Sequence, residues 1–370
     1  MSTSLFQVCM IFAFCANLLT PSSCHDNSRL HKKHAALFVF GDSQFDVGNN
    51  NYLNTSTELQ ANFWPYGETF FKHPTGRFSD GRLIPDFIAE YAKLPLIPPY
   101  LRRGFKSYTY GVNFASAGAG ALAESYQGFV IDLKTQLGYF KKVEKQLRHK
   151  LGHAETYTLL SEAVYLIGIG ANDYFYALGT NSSLFESSPE EFVGLVIGNL
   201  TTVIKEIYKK GGRKFGFTSM APLGCVPSMR AMKPGNTGTC VEEVNAVAKL
   251  HNRVLDKVLL KLKGHLPGFK YSYPNVYPHI DEIFNNASKH GFKEGKTACC
   301  GSGPYRGIGS CGGKRGVTVY ELCDNVTEYV FFDSNHPTER FYQKVSKLWW
   351  SHTPKQTETY IDLKELFEVY

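Results

Sequence analysis

The sequence has no C-x-x-C pair, no H-E-x-x-H and no G-x-S-x-G. The first absence speaks against zinc ribbons and dithiol redox centres, the second against a zincin-type metal site, and the third against the nucleophile elbow of the α/β-hydrolases. No metal and no cofactor is expected. Basic residues outnumber acidic ones, with a formal charge of +7, but they are scattered singly and in short pairs such as Lys32–Lys33 and Arg102–Arg103. Without a basic stripe and interleaved aromatics, nucleic-acid binding has no electrostatic footprint. Charge is missing altogether from the first 24 residues. Beyond them no uninterrupted apolar run approaches the ~18 residues of a membrane-spanning helix, so no stable span is expected.

What is present is a globular composition: 370 residues, 43% hydrophobic and 14% aromatic, enough for one large α/β domain. Leu5–Leu19 is mostly apolar, and the small residues Ser22, Ser23 and Cys24 precede the polar HDNSRLHKK. Residues 1–24 therefore read as a secretory signal peptide, although its positive n-region is missing, and 25–370 as a single domain. Two further features agree with a secreted, extracellular protein. N-x-S/T acceptors for glycosylation occur at Asn54, Asn181, Asn199, Asn286 and Asn325. Six cysteines, Cys225, Cys240, Cys299, Cys300, Cys311 and Cys323, crowd the second half of the chain and read as disulfides, with connectivity open. Adjacent Cys299 and Cys300 are each expected to pair elsewhere.

Apolar runs at Leu37–Phe40, Tyr110–Ala115, Ala163–Ile169, Lys214–Thr218 and Phe269–Tyr273 predict five strands, and Tyr329–Phe332 a last short run. Between them, apolar residues recur at helical spacing over Leu83–Ala92, Leu133–Leu151, Pro189–Lys210, Val241–Leu259 and Phe341–Trp349. Ser79 or Asp80 is the expected N-cap of the first helix. Strands alternating with helices imply a mainly parallel sheet covered on both faces. Two stretches resist that pattern: 51–82, rich in turn formers and aromatics, and the Gly/Cys-rich 291–323. The aromatics Phe63, Trp64, Tyr66, Phe70 and Phe71 are read as packing for the first of these loops.

Polar groups stand just beyond three apolar runs: Ser43, Asn172, and Asp333 with His336. The small-residue loop SAGAGA (Ser116–Ala121) follows another. Ligands bind at the carboxyl ends of parallel strands, so these groups share one layer. Ester cleavage through a serine needs a hydroxyl, an imidazole to take its proton, a carboxylate to orient that imidazole, and donors for the oxyanion. Ser43, His336 and Asp333 fit the first three roles; backbone N–H groups of Ser43 and a loop glycine, with the Asn172 amide, fit the fourth. Gly118–Ala123 also matches a degenerate dinucleotide fingerprint, but it lacks the third glycine. His336 and Glu339 could suggest a metal pair, yet Glu339 suits the first turn of a helix.

The blocks GDSQFDVGNNNY (Gly41–Tyr52), GVNFASAGAGAL (Gly111–Leu122), GIGANDY (Gly168–Tyr174) and FFDSNHPTE (Phe331–Glu339) resemble, in order and spacing, those of the plant GDSL-type esterase/lipases of the SGNH hydrolase superfamily. The resemblance runs from about residue 35 to the C-terminus. It implies a three-layer α/β/α sandwich with a flavodoxin-like, mainly parallel central sheet, and catalytic residues Ser43, Asp333 and His336. It implies oxyanion donors at Ser43, Asn172 and Gly120, with Gly118 the near alternative. Gln44 stands where the family name has Leu and is expected to tune the pocket or the turn; Val47 replaces a common Ala. A secreted carboxylic-ester hydrolase acting on small-molecule or lipid esters is the leading expectation. An acyltransferase built on the same serine site and a secreted defence or binding protein are the alternatives.

Overall fold

The computed structural model describes residues 35–368 apart from 106, 181–187, 234, 236–237 and 352–359. The expected signal peptide and the acceptor at Asn181 lie outside the described residues.

Each of the five apolar runs contains a strand: β1 (Leu37–Gly41), β2 (Gly111–Asn113), β3 (Val164–Gly168), β4 (Lys214–Phe217) and β5 (Lys270–Ser272). They pair in parallel in the order β2-β1-β3-β4-β5. β1 therefore has its sequence successors on opposite sides, and the connections leaving β1 and β3 part company above the sheet. That divergence makes the crevice in which doubly wound folds bind ligands. β2 is shorter than expected, ending at Asn113, whose Oδ1 accepts the Ala115 N–H (2.9 Å) and whose Nδ2 donates to the Phe45 carbonyl (2.7 Å).

Ten helices are assigned among the described residues: α1 (Ile84–Tyr91), α2 (Leu133–Leu151), α3 (His153–Glu162), α4 (Ala171–Thr180), α5 (Pro189–Lys209), α6 (Pro227–Met232), α7 (Glu242–His265), α8 (Tyr277–Asn285), α9 (Glu339–Trp350) and α10 (Leu363–Glu368). Side chains alternate across a strand, so the two faces of the sheet meet different helices. Phe38, Phe40, Tyr165, Ile167, Phe215 and Phe217 pack on α2, α5 and α7. Leu37, Val39, Val164 and Leu166 pack on α1, α8, α9 and α10. The result is the three-layer α/β/α arrangement. Tyr329–Phe332 joins no sheet; it makes isolated bridges from Tyr329 to Glu294 and from Phe331 to Pro337.

The expected cap of α1 is wrong in an informative way. The Leu83 N–H is taken by the Asp86 carboxylate (2.9 Å), whereas Asp80 accepts the N–H of Glu339 (2.7 Å), the first residue of α9. A loop near the start of the chain thus caps a helix near its end. Glu339 in turn accepts hydrogen bonds from Arg82 (2.6 Å) and Thr69 (2.6 Å). Three disulfides, Cys225–Cys240, Cys299–Cys323 and Cys300–Cys311, resolve the connectivity. The last two pin the 299–323 excursion, whose cysteines pack with Tyr66, Phe78 and Phe332 into a small core of their own.

Asp86 also receives two hydrogen bonds from the buried Arg77 guanidinium, both 2.8 Å, which couples the irregular loop to α1. Removing one member of a buried pair leaves the other uncompensated. Arg77→Ala is expected to lose about 3–5 kcal/mol of unfolding free energy in guanidinium titrations; a loss under about 1 kcal/mol would place the pair among surface-type interactions.

Candidate active site

β1 stops at Gly41, where any Cβ would fall 2.5 Å from the Gly168 carbonyl. A side-chain amide completes the backbone bonding there: Gln136 accepts the Gly41 N–H (2.9 Å) and donates to the Gly41 carbonyl (2.8 Å). The chain then turns, with the N–H groups of Phe45 and Asp46 donating to the Asp42 carbonyl at 3.0 and 2.9 Å. Ser43 heads this turn above the strand.

Asp46, Asn49 and Asn50 are buried and hold the next loop. Asp46 accepts backbone N–H groups from Gly48, Asn49, Asn50 and, across the site, Ala117. The Asn49 amide donates to the carbonyls of Asn113 and Ala115, and the Asn50 amide to those of Leu59 and Ala117. The stretch is a clamp. The signal was available in three amide or acid side chains following so closely on an apolar strand.

His336 lies in a tight turn closed by its own carbonyl, which accepts the Phe332 N–H at 2.8 Å. Its Nε2 is 2.8 Å from Ser43 Oγ, and its Nδ1 is 2.8 and 3.0 Å from the two oxygens of Asp333. The carboxylate calls for a proton on Nδ1, leaving Nε2 to accept from the serine hydroxyl. Asp333 Oδ1 also accepts the N–H groups of Asn335 (2.9 Å) and His336 (2.8 Å). Burial alone would raise this carboxyl; the His336 charge and hydrogen bond, then the Arg315 charge and the Asn335 N–H, overcome it and hold Asp333 well below the usual carboxylate range. Phe78 packs against the imidazole, ring centroids 4.6 Å apart.

Asn172 occupies the first turn of α4, a helix the sequence pattern did not reveal, and its Nδ2 donates to the Ala119 carbonyl (3.1 Å). Its neighbour Asp173 accepts the N–H groups of Ala121 (2.8 Å) and Leu122 (3.0 Å) and the Ser125 hydroxyl (2.7 Å). The two glycines of this loop face different ways. Gly118, at φ +83°, lines the cavity with Ser43 and Asn172. Gly120, the better match in sequence, backs onto Asp173 and Ser125, where a Cβ would fall 2.1 Å from Asp173 Oδ1, and it does not line that cavity.

The cavity over Ser43 measures about 440 Å³ and has mixed walls, among them Leu59, Tyr126, Phe175, Met229, Asn335 and Arg315. A narrow apolar recess of about 80 Å³, walled by side chains such as Met220, Val226, Ile280 and Phe284, adjoins it. Gln44 and Phe175 line both, so the departure from the family's Leu falls where the two spaces meet. Of the loop aromatics read as packing, Trp64 and Phe70 are exposed, and Tyr66 donates its hydroxyl to Asp333 Oδ2 (2.7 Å). Arg315, in the disulfide-pinned excursion, donates to that same hydroxyl (2.8 Å). Sequence reasoning singled out neither for such a contact. Among the described residues, no group of three or more His, Cys, Asp or Glu side chains could hold a metal ion, and no helix is long and apolar enough to cross a membrane.

A sequence profile of the family described as GDSL-like Lipase/Acylhydrolase matches residues 37–349. The chain belongs to that family. It is 51% identical over 376 residues to GDSL esterase/lipase 2 of Arabidopsis thaliana, covering all of both chains. It is 52% identical over 351 residues to GDSL esterase/lipase 1 of the same plant, covering 94% of each. With the GDSL lipase of Tanacetum cinerariifolium it shares 47% over 367 residues, 99% of this chain and 95% of the other. The protein is a carboxylic-ester hydrolase of the plant GDSL esterase/lipase type.

Asp42, beside the serine, offers a test of the site's electrostatics. Burial pushes its carboxyl up to about 7, against the Gln44 N–H and the His336 charge, which favour ionisation. Between the ordinary value of 3.8 and about 7, the folded chain keeps a proton that the unfolded chain releases, so this group's contribution to stability falls as pH rises through that window. Asp42→Asn should remove that loss, gaining on the parent by up to about 1.4 kcal/mol per pH unit in denaturation midpoints compared across the window. Parallel pH profiles for the two proteins would contradict it.

Proposed function

We propose that the protein is a secreted serine esterase that hydrolyses acyl esters, lipids included, through an acyl-enzyme on Ser43. The observation that carries this reading is the unbroken chain from Ser43 Oγ through His336 to Asp333, with both links at 2.8 Å. Ser43 Oγ attacks the ester carbonyl while His336 Nε2 takes the hydroxyl proton. The tetrahedral intermediate collapses, and the same proton goes to the departing alcohol. Water then attacks the acyl-enzyme, giving its proton to His336, and the carboxylic acid leaves as the proton returns to Ser43. The oxyanion is met by the backbone N–H groups of Ser43 and Gly118 and by the Asn172 amide, whose second hydrogen is not needed for Ala119. Gly118 takes this role in place of Gly120 because it shares the cavity wall with Ser43.

The acyl chain points past Gln44 and Phe175 into the apolar recess. Secretion through residues 1–24 is supported by the disulfides and by the exposure of Asn54, Asn199, Asn286 and Asn325, where glycans would be free to project.

Ser43→Ala should lower kcat for p-nitrophenyl butyrate by roughly 10⁴- to 10⁶-fold with the fold intact by circular dichroism. Retained turnover would remove the serine from the mechanism. With p-nitrophenyl esters from acetate to palmitate, the small recess leads us to expect kcat/KM to peak among the short chains. A peak at palmitate would assign the chain to another part of the surface. In mixed water and alcohol, free acid should dominate at low alcohol concentration; dominant ester product would instead identify an acyltransferase.

A further inference from the structure

We propose that Tyr66 and Arg315 are positioning residues for ester hydrolysis, acting through Asp333 to hold the carboxylate ionised and aimed at His336. This rests on the serine mechanism above. The four groups form one line: Arg315 Nη2 donates to the Tyr66 hydroxyl (2.8 Å), Tyr66 donates to Asp333 Oδ2 (2.7 Å), and Asp333 accepts from His336 Nδ1. Asp333 Oδ1 already has three N–H partners, whereas Oδ2 is met by the Tyr66 hydroxyl and by a contact with Nδ1 that it shares with Oδ1. The tyrosine thus fixes the rotation of the carboxylate about its own axis, and with it the plane of the imidazole.

Arg315 is placed to polarise that phenol. Its guanidinium is buried among Phe63, Tyr66 and Phe78, 5.6–5.7 Å from each ring centre. It is held there by the carbonyls of Glu58 (2.7 Å) and Gln60 (3.2 Å) and by the Glu58 carboxylate (3.3 Å). These bonds could anchor an arginine without Tyr66. The further bond to the hydroxyl directs a positive charge along the line toward Asp333. Burial pushes the Tyr66 hydroxyl well above its ordinary value, so it stays protonated and remains a donor. The other titratable groups here are Tyr342 on α9, Asp42 and Asp80, besides the Glu58 carboxylate on Arg315.

Two signatures separate this role from a merely structural one. Tyr66→Phe and Arg315→Gln should each lower kcat on the order of 10- to 100-fold with KM within about twofold, because the hydrogen-bonded line ends on Asp333 and His336 and not on the ester, even though Arg315 also walls the cavity. Without the Arg315 charge the Asp333/His336 pair takes up a proton more readily, so the acid limb of kcat/KM in Arg315→Gln should move up by about 0.5 pH unit or more. Arg315→Lys should bring that limb back, and the double variant should be no slower than the slower single one. Parental kcat in Tyr66→Phe, an unmoved acid limb in folded Arg315→Gln, or a loss confined to KM would overturn the proposal. If Arg315→Gln does not fold, Tyr66→Phe decides alone, since it deletes one oxygen and leaves the bonds of Arg315 to Glu58 and Gln60. Ser43→Ala assayed alongside keeps the two readings apart. Inactive Ser43→Ala with fully active Tyr66→Phe defeats only the positioning role; active Ser43→Ala defeats the serine mechanism itself.

Discussion

A single buried carboxylate holds the surroundings of Ser43 together. Asp46 gathers three N–H groups from its own loop and one from Ala117 in the loop after β2. Burial raises its carboxyl to about 6 while those N–H groups pull the other way, so donors replace the water that the ionised form would otherwise demand. Two loops that leave neighbouring strands thereby share one anchor. Asn49 and Asn50 extend the clamp to the carbonyls of Asn113, Ala115, Leu59 and Ala117. The serine turn and the Gly118 loop become one rigid piece, which a preorganised oxyanion site requires.

The sheet was legible because parallel strands covered on both faces are apolar at successive positions. Ser43, Asn172, Asp333 and His336 could be picked out as candidates because each stands just after an apolar run, although the run before Asp333 joins no sheet. Gly118 and Gly120 could not be told apart, since orientation within the loop depends on Asp173 pressing against Gly120. Asp80 was assigned to the adjacent helix because capping rules are local, whereas its true partner is 259 residues away. Tyr66 and Arg315 were hidden for the same cause. Segments without periodicity carry no record of what they will touch.

The regular elements and the irregular ones divide the work. Strands and the first turn of α4 bring Ser43 and Asn172 to the crevice between β1 and β3. The loop at 51–82 and the excursion at 299–323 instead serve the Asp333/His336 turn. One caps the helix that follows it and covers the imidazole with Phe78; the other delivers Arg315 from between Cys311 and Cys323. An aromatic core outside the sandwich joins the two. The disulfides thus stabilise the excursion that carries Arg315, beside a turn whose approach, Val330 and Phe331, is anchored in the sandwich core.

The hydrogen-bonded line over the sheet also spans almost the whole chain. His336 meets Ser43 across 293 residues, Tyr66 meets Asp333 across 267, and Arg315 meets Tyr66 across 249. Contacts so distant in sequence close late, after the intervening loops have lost their freedom. A nascent chain emerging from the ribosome would complete its sheet well before His336 could reach Ser43. That contact therefore forms only after segments far apart in the chain have been brought together, and it reports the folding of the whole described region and not of any one element.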